Sequence, residues 1–148
     1  MTSSSGVAVV VAGLLSTFTA VAPVGVDVID GDPIDPGTQF LCVAWDESDG
    51  PVASSTSEPA DLSMQADQEV VEVSNLLTVW SGTDSPAQVR AAVLALFDVF
   101  RAAVKADVTL GGVASRVHIS AYEYLSSRRA EGFLGQVRFT VSADAFTV

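Results

Sequence analysis

Basic residues are absent from the first 89 positions of this chain, although that part carries thirteen carboxylates. All seven basic residues follow, accompanied by five carboxylates, so the two parts have net charges of −13 and +2 and the whole chain −11. A protein that binds nucleic acid by neutralising phosphates needs a basic stripe. The charge balance therefore argues against nucleic-acid binding, although it does not exclude contact with DNA that passes without adhering.

Cysteine and histidine are each present once. Cys42 cannot form an internal disulfide, and its position in the apolar run 40–44 predicts a buried thiol in a reducing compartment. His118 stands between Val117 and Ile119 in a predicted strand, where a lone histidine is more typical of packing than of general-base catalysis. One histidine and one cysteine are too few to ligate a metal ion.

A cluster of aspartates near residue 30 invites comparison with a calcium-binding loop. A loop of the EF-hand type ends in glutamate at its twelfth position, whereas the twelfth position from Asp30 is Leu41, and Pro33 and Pro36 interrupt the loop. The sequence also lacks a nucleophile elbow and a phosphate-binding loop. We therefore expect no catalytic residue, no metal and no cofactor, and predict that the protein is not an enzyme. The aspartates tested are Asp27, Asp30, Asp32 and Asp35.

Long apolar runs are missing as well. The run 6–15 is too short to cross a bilayer, and no positive segment precedes it as in a signal peptide, so we expect a cytosolic protein with no membrane association. Hydrophobic residues nevertheless make up 49% of the chain, and the mean hydropathy is +0.41. Because a small domain cannot bury that much apolar surface alone, we expect part of it to lie in a protein interface.

Apolar periodicity predicts two helices. The first covers 7–21, with apolar residues at spacings of three and four, and Pro23 should end it. The second begins with Ser85 as N-cap and Pro86 at the first helical position. Its apolar face runs from Val89 to Val104, and the Leu-Gly-Gly sequence at 110–112 should terminate it.

Strand patterns predict a sheet for most of the remaining chain. Alternation indicates a half-buried strand over 24–30, an apolar run indicates a central strand over 40–45, and a long strand should cover 67–80. Breaks in its alternation near 70–71 and 76–77 predict a bulge or bend. The segments 113–126 and 133–148 predict a hairpin so long that it should bend strongly or project towards another subunit.

The segment 46–66 differs from everything around it. It is polar, contains Gly50, Pro51, a Ser-Ser-Thr-Ser run and Pro59, and shows no periodicity. Structureless loops of ~20 residues are uncommon in compact domains and are usually functional or disordered. We predict a flexible flap that orders against a partner, with a mobile surface loop as the alternative. Altogether the patterns predict one α+β domain over 1–148.

The order of elements carries a resemblance to a known family. An N-terminal helix leads into strands rich in valine and acidic residues. A long strand ending in Val-Trp-Ser-Gly at 79–82 precedes a helix with Arg90. Leu110-Gly111-Gly112 and a closing hairpin with Phe-Thr-Val at 139–141 follow. In this order the chain resembles the tail terminator, or tail completion, proteins of long-tailed bacteriophages, in particular those of actinobacterial hosts.

The resemblance implies a fold and a role. The fold is a mixed, mostly antiparallel sheet with two helices packed on it and a long C-terminal β-hairpin. The role is structural: a homo-oligomer, expected to be a hexameric ring, caps the tail tube protein and meets the head-tail connector protein while DNA passes through its centre. The protein is then made in the host cytoplasm and located in the virion, at the head-tail junction. The family has no catalytic residues.

Two other functions fit the sequence. A head-completion or stopper protein of the same connector region also forms rings and handles DNA passage. A small acidic cytosolic domain that binds a basic partner belongs to a different class, and solution mass distinguishes it from a ring.

Two groups of residues are candidates for the ring's surfaces. In a head-to-tail contact, a patch of one subunit meets a different patch of its neighbour. Arg128 and Arg129 at the hairpin tip are predicted to meet flap carboxylates of the next subunit, namely Asp46, Glu47, Asp49, Glu58 and Asp61. Carboxylates expected to point outwards are candidates for the channel lining, where they would repel phosphate. These are Asp27, Asp30, Glu69 and Glu72.

Overall fold

Two helices and six strands make up the part of the chain that the computed structural model describes, which is residues 6–33, 37–45, 53–59, 67–82, 85–112, 114–129 and 132–147. One helix precedes the first four strands, and the other lies between the fourth strand and the closing hairpin. In chain order the elements are α1 (Val7–Val21), β1 (Asp27–Asp30), β2 (Gln39–Val43), β3 (Ala53–Pro59), β4 (Asp67–Ser81), α2 (Pro86–Ala106), β5 (Arg116–Arg129) and β6 (Gly132–Thr147).

The strands form one sheet with the order β1-β2-β4-β6-β5, and β3 pairs with β4 beside this path. The pair β1–β2 is parallel, and the pairs of β4 with β2, β3 and β6 and of β5 with β6 are antiparallel. The predicted α+β class, with its mixed, mostly antiparallel sheet, two helices and a C-terminal hairpin, is confirmed.

The strands β4 and β6 pair from end to end. Their register runs from Asp67 opposite Thr147 to Ser81 opposite Phe133, without a shift along these residues, so the predicted bulge in β4 is wrong. The alternation fails for another reason: residues 75–79 are buried on both faces of the sheet. The hairpin also does not project alone, because β4 accompanies β6 over a length of about 50 Å at 3.3 Å per residue. The register shifts in β5, between Ile119 and Ala121, an irregularity of the kind that bends a strand.

Two strands share one edge of β4. Gln39–Val43 pairs with residues 75–79, and Ala53–Pro59 pairs with residues 67–73. The buried Asn75 marks the change: its Oδ1 accepts from the Ala44 N–H at 3.2 Å, and its Nδ2 donates to the Val73 carbonyl at 3.1 Å. Ala44 has φ of +58°, in the left-handed region. Trp45, two residues beyond the end of β2, still donates its N–H to the Ser74 carbonyl of β4 at 3.0 Å.

The sequence predicted a loop without regular structure over 46–66, but part of this segment is a strand. Residues 53–59 form β3, while 46–52 and 60–66 lie outside the described residues. Serine and threonine gave no apolar alternation that could reveal the strand. Strand formation here depends on the open edge of β4 as a hydrogen-bonding partner, which tertiary structure supplies and local sequence does not.

Both helices pack on one face of the sheet, called here the helix face. Its core contains Val71, Val73 and Leu77 of β4 and the apolar side of each helix. Aromatic rings join the layers: the Phe18 and Phe100 ring centroids are 5.3 Å apart, edge to face, and Phe97 lies 5.2 Å from Phe139 of β6. Such contacts add to the free energy gained from burying the rings.

Glu69 lies inside this assembly and not on its surface. Its side chain is 3% exposed on the helix face of β4, and its Oε1 accepts a hydrogen bond from the Gly6 N–H at the start of α1. A carboxylate is favourable there, because the first N–H groups of a helix lack partners within it and carry partial positive charge. The prediction that Glu69 lines the channel is therefore wrong. From the sequence alone, a glutamate in an apolar strand is predicted to face solvent, because the sequence does not show its hydrogen-bonding partner in the fold.

The ends of α2 follow the sequence closely. Ser85 and Gln88 form a reciprocal capping box, with the Gln88 N–H 3.3 Å from Ser85 Oγ and the Ser85 N–H 2.8 Å from Gln88 Oε1. At the other end Leu110, Gly111 and Gly112 adopt positive φ. The start of α2 lies close to the sheet at Gly135, where a Cβ would come within 2.8 Å of Val89 Cγ1.

Replacing Glu69 tests its role at the start of α1. We expect Glu69→Ala to lower the free energy of unfolding by about 1–3 kcal/mol, because a partly buried N–H loses its acceptor. Glu72→Ala, which changes an exposed glutamate on the same strand, should stay within about 0.5 kcal/mol. Urea denaturation followed by circular dichroism measures both. Equal effects of the two substitutions would contradict the assignment.

Gly135 tests the close approach of α2 to β6. We expect Gly135→Ala to destabilise the fold by about 1–3 kcal/mol, because the added methyl group overlaps Val89. Combining it with Val89→Ala should give a smaller loss than the sum of the two single losses, since the overlapping methyl groups are removed. Denaturant titrations of the four proteins in the cycle measure the coupling, and strict additivity would show that the two side chains do not meet.

Candidate subunit interface

The three remaining channel candidates are exposed but do not share a face. Asp30 lies on the helix face, because it is in register with Val43 and, through it, with Asn75. Asp27 and Glu72 lie on the opposite face of the sheet. The structure therefore separates Asp30 from the other two.

The predicted hairpin-to-flap contact is largely outside the described residues. Arg128 is exposed, and its guanidinium lies 5.7 Å from the Phe133 ring centroid. The structure does not describe the side chains of Arg129, Asp46, Glu47, Asp49, Glu58 and Asp61. This contact stays a prediction.

One outer strand of the sheet, β1, presents an acidic edge, defined by Asp27, Asp30 and Asp32. All three side chains are exposed. After the strand, Gly31 takes φ of +81° and donates its N–H to the Val43 carbonyl at 2.9 Å. This hydrogen bond holds the turn against β2 and keeps Asp32 close to the end of β1.

The other outer strand, β5, borders a basic groove of about 440 Å³ between its first residues and the last turns of α2. Valine and isoleucine side chains form its apolar lining, and no carboxylate lines it within the described part of the chain. Nor do its bases form an ion pair there. The basic residues that line it are Arg101, Lys105, Arg116 and His118.

Arg101 fixes the position of the groove relative to the sheet. Its guanidinium lies 5.5 Å from the ring centroid of Tyr122, and that ring lies 4.9 Å from Phe97. Tyr122 is 51% exposed, an unusual fraction for an aromatic side chain on the face that holds the core. A cation held over a ring face by a packed aromatic pair is restricted in its motion.

The sequence analysis missed this groove because its residues come from two elements. Arg101 and Lys105 are four apart on α2 and therefore lie on one side of the helix. Arg116 and His118 are two apart on β5 and therefore share a strand face. Each pair is a readable signal, but their meeting depends on how α2 packs beside the edge strand.

A second surface is mainly apolar. The helix α1 has no charged residue along its whole length. Its outer side and the end of α2 border a groove of about 830 Å³ lined mainly by alanine, glycine and valine, and Val9 remains 43% exposed. The outward face of a surface helix is normally charged or polar.

Cys42 is fully buried, as the sequence predicted. Burial raises the pKa of its thiol to about 12, and the nearby negative charge of Asp32 adds to the shift. The thiolate is the reactive form of cysteine, so Cys42 is inert at neutral pH.

Other types of site receive no support from the described residues. They contain no group of three or more histidine, cysteine, aspartate or glutamate side chains that could hold a metal ion. No helix in the described ranges has the length and apolar character needed to cross a bilayer.

Comparison with known proteins assigns no family. No family model and no curated protein matches the chain. Among solved structures, it is similar to a chain from the virion of a native gene transfer agent particle, with a TM-score of 0.47 and 12% sequence identity. The similarity covers 95% of this chain and 97% of the other. The function therefore has to follow from the surfaces of the molecule.

The reactivity of Cys42 tests its burial. We expect the thiol to resist a chromogenic disulfide reagent at pH 8 in the native protein and to react rapidly once urea unfolds the chain. The raised pKa leaves almost no thiolate in the folded state at that pH. Absorbance at both urea concentrations measures the difference, and rapid native labelling would contradict a buried, protonated thiol.

Proposed function

We propose that the protein is a structural component of a phage-like virion, a ring that caps the tail tube and joins it to the head connector. The observation that carries the proposal is the element order. The N-terminal helix, the long strand β4, the following helix α2 and the closing hairpin occur as the resemblance to tail terminator proteins implies. The helices lie on one face of a mixed sheet, as in the fold expected for that family.

The surfaces of the molecule support an assembling protein. An uncharged helix with exposed apolar residues favours contact with other proteins. The acidic edge and the basic groove lie at opposite edges of the sheet, at β1 and β5. One copy therefore carries two unlike, complementary patches. Contacts between unlike patches generate rings when the rotation closes.

The proposed channel lining is narrowed to Asp27 and Glu72. Both are exposed on the sheet face opposite the helices, whereas Glu69 is buried beneath α1. Carboxylates on a channel wall repel DNA phosphates within the Debye length of about 8 Å at physiological salt. The strong negative net charge of the chain is consistent with DNA that passes and does not adhere.

The test is where the protein resides in the particle and what its loss does. Purified virions are separated into heads and tails, and each fraction is analysed by quantitative mass spectrometry. We expect the protein in the tail fraction at a few copies per particle. Deleting its gene should give tails of uncontrolled length, and a plasmid-borne copy should restore normal length.

Other outcomes separate the alternatives. Tails of normal length beside heads that lose their DNA would indicate the head-completion role and would contradict a tail cap. Absence of the protein from purified particles would contradict any virion function and leave the acidic binding domain.

A further inference from the structure

We infer that copies of this chain join head to tail at their sheet edges, with Asp30 and Asp32 of one copy seated in the basic groove of the next. The groove is formed by Arg101, Lys105, Arg116 and His118. The inference rests on the proposed function, because it specifies the joint between neighbouring subunits of the ring.

The register of the sheet places the two patches at the same height. Asp30 pairs with Val43, Val43 with Asn75, Asn75 with Phe139, and Phe139 with Tyr122. These five residues form one row across the sheet, with Asp30 at one end and Tyr122 at the other. Since the Arg101 guanidinium lies over the Tyr122 ring, the row runs from an exposed carboxylate to a half-buried cation.

Asp30 of the acidic edge and the part of the groove formed by α2 share the helix face. Residues in one row point to the same face of a sheet, so Asp30 lies on the helix face, where Arg101 and Lys105 of α2 are also found. His118 lies about 10 Å along the sheet from this row, but on the opposite face, because it is in register with Ser142 and, through it, with Glu72. The strand β1 runs from Asp27 to Asp30 in the direction in which the groove extends from Tyr122 towards Arg116, and Asp32 follows in the turn after the strand.

Charge complementarity selects a second copy as the occupant. The groove lining holds three permanent cations and no carboxylate in the described part of the chain, although the protein as a whole has a net charge of −11. The acidic edge holds three carboxylates and no base. The opposite charges of the two patches attract each other and so favour the association of copies. Because the patches differ, two joined copies still have one acidic edge and one basic groove free, so the contact repeats around a ring.

The position of the only lysine allows a direct test. A carbodiimide couples a lysine amine to a carboxylate only when the two touch, and takes up the water lost as the amide forms. Within one chain Asp30 lies in β1 and Lys105 lies beside β5, and these two edge strands are about 19 Å apart across four strand spacings. An amide between them can therefore form only between copies, and mixing light and isotopically heavy protein identifies it.

We expect peptide mapping to find Lys105 joined to Asp30 or Asp32 in peptides that combine the light and heavy isotopes. Lys105→Arg is the matched control, because it keeps the positive charge and removes the amine. It should abolish the covalent link while leaving association, measured by sedimentation velocity, unchanged.

Charge reversal tests the same joint without chemistry. One variant carries Lys105→Glu and Arg116→Glu, and a second carries Asp30→Lys and Asp32→Lys; all four positions are exposed. Each variant alone should associate at least about tenfold more weakly than the original protein, because like charges oppose each other at the joint. An equimolar mixture should recover association, since each variant then offers the complement of the other. Arg90→Glu, an exposed residue of α2 outside the groove, should change nothing.

Several results would overturn the inference. They are a chain that stays monomeric and uncrosslinked at the highest soluble concentration, interchain links from Lys105 to other carboxylates, and failure of the mixture to recover association. A protein found in tails that gives none of these links would retain the proposed function and lose this joint. A protein with the link that is absent from virions would retain the joint and lose the proposed function.

Discussion

The end-to-end pairing of β4 and β6 is the constraint on which the rest of the structure depends. It fixes one register from Asp67 to Ser81. The position of every other strand along the strand direction follows from this register. Through this register, β1 and β5 present their charged residues at the two ends of a single row. The same pair supplies the apolar floor on which both helices pack. A slip of one residue would turn the core face of β4 outwards and separate the acidic edge from the basic groove.

Much of this fold was readable from local patterns. The apolar spacing of α1, the capping residues Ser85 and Pro86, and the alternation of β6 each acted within one element, and each is confirmed. The failures came where tertiary contacts decide. Glu69 is buried by α1, β3 forms along an edge that only β4 provides, and the apparent bulge in β4 is a stretch covered on both faces.

The candidate site divides in the same way. The charge asymmetry of the chain pointed to complementary patches between subunits, but the sequence assigned the basic patch to the hairpin tip. The groove could not be found from the sequence because α2 contributes Arg101 and Lys105 while β5 contributes Arg116 and His118. Their distances along the chain carry no information about how the helix lies beside the strand. The buried carboxylate at Glu69 and the exposed ones at Asp30 and Asp32 now have different roles: one orders α1, and the others are available to a neighbour.

A cryo-electron microscopy reconstruction of the assembled oligomer, isolated or within the virion, tests the central claim most directly. The account predicts a cyclic ring in which the carboxylates of Asp30 and Asp32 lie within ion-pair distance, about 4 Å, of Arg101, Lys105 or Arg116 of the adjacent subunit. The sheets of neighbouring subunits should then lie edge to edge, with their central rows at one height. A two-fold contact between identical edges, or a ring in which the basic groove faces solvent, would contradict it.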